Sequence, residues 1–301
     1  MSIIICFIDG VGLTEPAAPP WTTADLPTLR GLLGATPHRD LVIDTPTLNF
    51  RALDATLGVP GLPQSGTGHT TLWTGQNAPA LLGRHFPAYP APSQRPMIAQ
   101  HSVFRQIKAA GFRSVLATVH RAPYWELVAG RQQRATAAAF AAFAADLPLS
   151  TGADFVAGRA VPWDITGAYL RRWGAFADMP DITPTEAGRR LANLAREYDV
   201  VHYECYLPDF VGHARIAETA ERTLELIDTL LGGILAALAP ADSLLVVSDH
   251  GNLEEPNHTR HTTNPVPLIV VGPAAPHAAT AHDLSDVAGV VLRSLTSQEP
   301  F

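Results

Sequence analysis

The stretch Ser243-Leu-Leu-Val-Val-Ser-Asp-His-Gly-Asn252 decides how the chain is read. Leu244–Val247 is an unbroken apolar run, the pattern of a strand covered on both faces, as in a parallel sheet. The run stops at Asp249 and His250, two adjacent ionisable side chains that are costly at the end of a buried strand unless they find partners. The other strand-like runs are Ile3–Ile8, Arg113–Val119, Val200–Tyr206 and Pro267–Gly272. Helical patterns lie between them. Ser102–Ala110 is one. Pro184–Tyr198 is another; its Thr183-Pro-Thr-Glu186 start predicts a capping box with proline in the first turn. A third covers about Ile216–Leu238, where Leu224, Ile227, Leu231, Ile234 and Leu238 recur at spacings of three and four. Strands alternating with helices predict an α/β fold built on a doubly wound, mainly parallel sheet. Ligands of such sheets bind beyond the carboxyl ends of the strands.

The middle of the chain breaks this rhythm. From Arg121 to Asp181 alanine-rich helix is interrupted by loops at Leu147–Gly152 and Val161–Ile165. This predicts a small, mostly helical cap at 121–181 inserted into a core made of 1–120 and 182–301. Residues 79–98, rich in proline and glycine, read as a long surface loop. No internal repeat is visible.

Composition narrows the class. The 301 residues are 47% hydrophobic and 16% charged, which suits a globular protein with a large core and excludes a disordered chain or a coiled coil. The net charge of −7 and the lack of a basic block argue against a nucleic-acid partner. Lys108 is the one lysine, a bias that fits a GC-rich genome. No apolar run approaches the ~20 residues of a membrane span, so no membrane partner is expected. Two cysteines, Cys6 and Cys205, both inside apolar runs, make no disulfide framework. With a start at Met1 that has neither a basic region nor a cleavage site, the expected compartment is the cytoplasm. Nothing in the sequence sets the oligomeric state.

The strand ends carry the chemistry. Ile3–Ile8 runs into Asp9-Gly10. Val200–Tyr206 leads to Asp209-Phe-Val-Gly-His213. Ser243–Ser248 leads to Asp249-His250-Gly-Asn252, and His261 precedes the last strand. Ser65-Gly-Thr-Gly-His69 opens a run of small and apolar residues that reads as a helix, with Ser65 projecting at its start. Each piece has an ordinary reading: Asp-Gly as a turn, Asp-x3-His as surface, His258 and His261 as loop residues. Together, three aspartates, three histidines and a serine at one sheet edge form a set that can hold two metals.

In this order the segments IDGVG (8–12), SGTGH (65–69), DFVGH (209–213), SDHGN (248–252) and HTTNPVPLIVVG (261–272) resemble the alkaline phosphatase superfamily, in particular its branch of cofactor-independent phosphoglycerate mutases and phosphopentomutases. The resemblance covers roughly half the chain and does not reach the middle. It implies two divalent ions, one held by Asp9, Ser65, Asp249 and His250, the other by Asp209, His213 and His261. It implies Ser65 as the nucleophile that accepts a phosphoryl group from a small phosphorylated substrate. Mixed oxygen and imidazole ligands suit Mn²⁺ or Zn²⁺, with Mg²⁺ as a further candidate. Two features set the chain apart from the mutases: their Ser-Glu-Val-Gly-His loop reads Ser-Gly-Thr-Gly-His here, and the insert is short and free of lysine. Mutase and hydrolase (phosphomonoesterase or phosphodiesterase) therefore both stand. A sulfatase lacks support, because no Cys/Ser-x-Pro-x-Arg pattern surrounds Ser65. A non-catalytic metal-binding relative sits poorly with a complete ligand set. Further candidates for gripping substrate are Arg84, His85, His120 and Arg121. Asn252 is a candidate for orienting a ligand. Tyr124-Trp125 and Trp163-Asp164 could line a sugar or base pocket, or pack the cap.

Overall fold

A computed structural model describes residues 1–121, 123–130, 134–172, 176 and 179–296. Part of the stretch 121–181, expected as an inserted cap, thus lies outside the described residues. Seven strands form one sheet: β1 (Ile3–Ile8), β2 (Ile43–Asp44), β3 (Leu48–Leu53), β4 (Ser114–Leu116), β5 (Val200–Cys205), β6 (Ser243–Val247) and β7 (Val266–Val271). Their order is β2-β3-β7-β6-β1-β5-β4. The block β6-β1-β5-β4 is parallel throughout, while β7, β3 and β2 extend it in antiparallel fashion. β3 runs in the direction of β1, so only β7 and β2 point the other way, and the sheet is mainly parallel as expected.

Every residue of β1, β5 and β6 is buried, which is why these runs carry no polar alternation. One face packs Ile4, Cys6, Ile8 and Tyr203 against the helices Pro27–Leu33, Pro184–Leu194 and Ala220–Leu235. The other packs Ile3, Ile5, Phe7 and Val247 against Ser65–Thr74, Val103–Ala109 and Asp286–Thr296. Both thiols are free and buried, and burial pushes them up, Cys205 to about 12.

Three local expectations need correction. The Thr183 hydroxyl accepts from the Glu186 backbone N–H at 3.1 Å, but Glu186 does not return the bond; its carboxylate pairs with Arg189 and Arg190. Residues 79–98 are not one surface loop. They contain much of the helices Ala78–Leu82 and Arg95–His101 and the single turn Pro92–Gln94, with Ala91, Gln94 and Ile98 buried. Pro79, Pro92 and Pro96 sit in first turns, where proline starts a helix rather than breaking it. Finally, β2 and β3 carried too little apolar pattern to be foreseen. Within 121–181, Ala137–Ala144 packs into the core under the sheet, whereas Phe155, Ala160, Leu170 and Met179 form a small cluster of their own with Val119. Bridges Leu116–Leu149 and Thr118–Val161 tie this stretch to the β4 edge.

The Pro184–Leu194 and Ala220–Leu235 helices touch backbone to backbone. A Cβ on Gly188 would collide with the Leu230 carbonyl and lie 2.8 Å from the Gly233 carbonyl carbon. Gly31, in the Pro27–Leu33 helix, faces open space. Helix propensity alone makes Gly→Ala favourable by up to about 1 kcal/mol at both sites. Urea titrations should therefore show Gly31→Ala stabilising and Gly188→Ala destabilising by about 1–3 kcal/mol, the cost of overpacking. Equal signs would mean the close helix contact is not there.

Candidate metal centre

The parallel strands deliver their carboxylates to one edge. Asp9 follows β1, Asp209 lies in the short helix Leu207–Gly212 after β5, and Asp249 follows β6. Gly10 makes the meeting possible. It holds φ +76°, and a Cβ there would stand 2.9 Å from Asp209 Cβ. Ser65 begins the buried helix Ser65–Thr74, as its glycine-flanked sequence suggests, but its side is not exposed: the residue is buried.

Two groups of ligand-type atoms result, each with its atoms within 4.8 Å of one another: Asp9, Asp249 and His250, and Asp209, His213 and His261. The His250 and His261 rings stack with centroids 3.7 Å apart, so the groups share a wall. Ser65 Oγ lies 2.9 Å from His250 Nε2. All seven residues expected from the sequence are thus brought together.

The electrostatics of these groups call for cations. Asp9 Oδ1 and His250 Nδ1 are buried without a hydrogen-bond partner, a costly state for a carboxylate oxygen. Burial, with Asp249 and Asp209 nearby, pushes the Asp9 carboxyl well above its usual range. Burial pushes His250 down to about 4, keeping it neutral and able to ligate. At Asp209 burial is outweighed by the imidazoles of His213 and His261 beside it, which hold it well below the usual range. The second group is the more telling. His213 Nδ1 donates to the Thr259 carbonyl and His261 Nδ1 to the Pro63 carbonyl, each at 2.8 Å, because a carbonyl can only accept. In the neutral rings both Nε2 atoms then carry lone pairs, yet they face each other at 3.0 Å. Backbone-anchored imidazoles with converging lone pairs beside a carboxylate are what a divalent cation requires. The residues present fit the metals that the sequence implies.

Three kinds of residue escaped the sequence reading. His69 is buried, with Nε2 3.1 Å from Asp249 Oδ2 and 3.6 Å from Asp9 Oδ2. Burial works against its charge, but Asp249 and Asp9 raise its pKa well above the ordinary histidine value. Its signal was present: four residues after Ser65, it shares that helix face. Glu254 is buried behind the centre. It accepts from the Gly12 and Asn252 backbone N–H groups at 2.9 and 2.8 Å, from the Thr262 hydroxyl at 2.5 Å and from Asn264 Nδ2 at 3.0 Å. One carboxylate thereby fixes the loops after β1 and β6 and before β7. Arg215 and Arg260, both exposed, line a cavity of about 450 Å³ with Ser65, Asp9 and the second ligand group.

The remaining expectations divide. Asn252 Nδ2 donates to Asp209 Oδ1 at 2.9 Å and so orients that carboxylate. His120 and Arg121 line a neighbouring pocket. Arg84 and His85 do not reach either one: Arg84 is exposed over the Phe86 ring, and His85 Nε2 donates to the Val59 carbonyl at 3.1 Å.

Glu254→Gln replaces two acceptor oxygens by one and aims amide N–H groups at donors. We expect a stability loss of about 1.5–3 kcal/mol, as for hydrogen bonds to a charged group. Mn²⁺ affinity should fall about 10- to 100-fold, as for residues that orient ligands. Calorimetry that finds unchanged Mn²⁺ affinity would remove Glu254 from that role.

Comparison with known proteins agrees with this geometry. Residues 171–299 match the family described as "Metalloenzyme superfamily". The chain is 37% identical over 131 residues to the 2,3-bisphosphoglycerate-independent phosphoglycerate mutase of Rhodopseudomonas palustris, covering 40% of this chain and 26% of that protein. It is 38% identical over 120 residues to the enzyme of the same name from Roseobacter denitrificans, covering 36% and 23%. The chain thus spans about a quarter of the length of these relatives. In fold it is similar to the alkaline phosphatase of the Antarctic bacterium TAB5 (TM-score 0.55, 11% identity, 99% of both chains). It is also similar to the phosphoglycerate mutase of Leishmania mexicana (TM-score 0.52, 13% identity, 99% of this chain and 96% of that one). The α/β fold with its mostly parallel seven-stranded sheet is thus one it shares with these neighbours. The family match and the mutase relatives each cover less than half of this chain. No helix among the described residues is long and apolar enough to cross a membrane.

Proposed function

We propose that the protein transfers a phosphoryl group from a small phosphorylated substrate through Ser65. The observation that carries this reading is the position of Ser65, with Oγ 2.9 Å from His250 Nε2 and the residue lining one cavity with Asp9, Asp209, His213 and His261. Asp9, Ser65, Asp249 and His250 would hold one divalent ion, and Asp209, His213 and His261 the other. Such ions (Mn²⁺, Zn²⁺ or Mg²⁺) favour deprotonation of a bound hydroxyl and neutralise phosphate charge. Ser65 then attacks phosphorus, the bond to the leaving alcohol breaks, and that alcohol takes up a proton. An acceptor hydroxyl next attacks the phosphoserine and frees Ser65. The N-terminus of the ten-residue Ser65–Thr74 helix favours the anion held there. Arg215 and Arg260 at the cavity rim draw in anionic substrate.

The mutase relatives support a hydroxyl of the substrate itself as acceptor. The broad cavity beneath a short insert supports water, which would make the enzyme a phosphomonoesterase or phosphodiesterase. Incubation with phosphoglycerates and phosphosugars, followed by ³¹P NMR, separates these outcomes. Isomerised ester without free phosphate establishes the mutase, and free phosphate establishes the hydrolase. No change in any ester with Mn²⁺ or Zn²⁺ present would sink phosphoryl transfer.

A further inference from the structure

Beside the cavity at Ser65 lies a second pocket of about 200 Å³, continuous with it through Tyr89, Thr136, Tyr206 and Phe210, which line both. At that size, below the roughly 300 Å³ of a complete ligand site, it suits one part of a substrate. Its walls are aromatic. Trp163 and Phe210 have ring centroids 5.1 Å apart, Trp163 and Tyr206 6.5 Å, and Tyr124 stands edge-on to His120 at 5.0 Å. Polar groups are interspersed: Thr118, Thr136 and the guanidinium groups of Arg121 and Arg134. Arg121 is exposed, and Arg134 lies over the Tyr89 ring at 5.8 Å.

We propose that this pocket receives a planar heteroaromatic ring on the alcohol side of the phosphate ester, which makes nucleoside monophosphates the substrate class. The inference rests on the phosphoryl-transfer reading for the phosphate end. A phosphorylated triose would leave the ring walls in water and gain nothing from them. A flat base gains by stacking on aromatic faces and on guanidinium planes. The threonine hydroxyls and Arg121 supply donors and acceptors for the polar edge of the base. The two parts of the substrate thus meet different chemistry: phosphate at the carboxylate and imidazole groups with Arg215 and Arg260, base at the rings.

The test has two arms. In the first, Mn²⁺-loaded protein consumes AMP, UMP, ribose 5-phosphate and glycerol phosphate, followed by ³¹P NMR. The nucleotides should exceed the ring-free esters at least about tenfold in kcat/KM, the scale of one stacked base. Tyr124→Ala and Arg121→Ala should raise KM for AMP and leave ribose 5-phosphate unaltered. Arg121 is exposed, so its variant tests the pocket without endangering the fold. In the second arm, free adenosine is titrated calorimetrically into protein without added metal. Binding that both variants weaken supports the pocket. Equal kcat/KM for all esters with no adenosine binding overturns it while phosphoryl transfer stands. Adenosine binding without consumption of any ester supports the ring pocket and defeats the phosphoryl-transfer reading instead.

Discussion

Mn²⁺ added to metal-stripped protein at a hundred times its dissociation constant should raise the unfolding free energy by about 2.7 kcal/mol. For a chain of this size that is a rise in Tm of roughly 5 °C. The cause is specific to this site. Folding alone brings Asp9, Asp209 and Asp249 together and leaves Asp9 Oδ1 buried without a hydrogen-bond partner. A cation relieves that crowding only in the native state, so binding and folding are linked. His261→Ala should reduce the rise, because it removes one of two imidazoles whose lone pairs converge at 3.0 Å. Differential scanning calorimetry with Mn²⁺, Zn²⁺ and Mg²⁺ checks this. A melting curve that none of the three moves would remove the metal centre and the function built upon it.

Ser65→Ala should lower turnover by at least about 10⁴-fold, the scale on which a lost nucleophile acts. It should also abolish transfer of ³²P from substrate to protein. Ser65 makes one side-chain contact of consequence, the 2.9 Å approach to His250, so the variant should fold and still bind metal. That combination separates a nucleophile from a structural residue. Activity within tenfold of the parent protein would mean that the attacking group is another one.

The sequence exposed the centre of the fold and the candidate ligand set for the same reason. β1, β5 and β6 are buried on both faces, so their ends stand out where apolar residues give way to Asp9, Asp209 and Asp249. What stayed hidden lacked that contrast. Leu48–Leu53 is interrupted by Asn49 and Arg51, and its pairing with β7 comes from tertiary contact. β7 was visible as a run, but an apolar run carries no sign of direction. Glu254 sits in a polar loop where a buried acid cannot be told from a solvated one; only the four donors around it reveal its role. Arg84 and His85 looked equal to His120 and Arg121 as cation pairs. Loop geometry decides that the second pair lines the pocket beside the candidate metal groups and the first does not.

β1 lies between β5 and β6, so residues 3–8 hydrogen-bond to residues 200–205 on one side and to 243–247 on the other. A ribosome releases β1 long before its two neighbours. During synthesis the most apolar strand of the protein has no place to go until most of the chain has emerged. Contacts this distant in sequence close slowly and leave sticky segments open to aggregation meanwhile. Production in cells should therefore respond more to chaperone supply and slow, cool expression than the intrinsic stability of the finished sheet suggests.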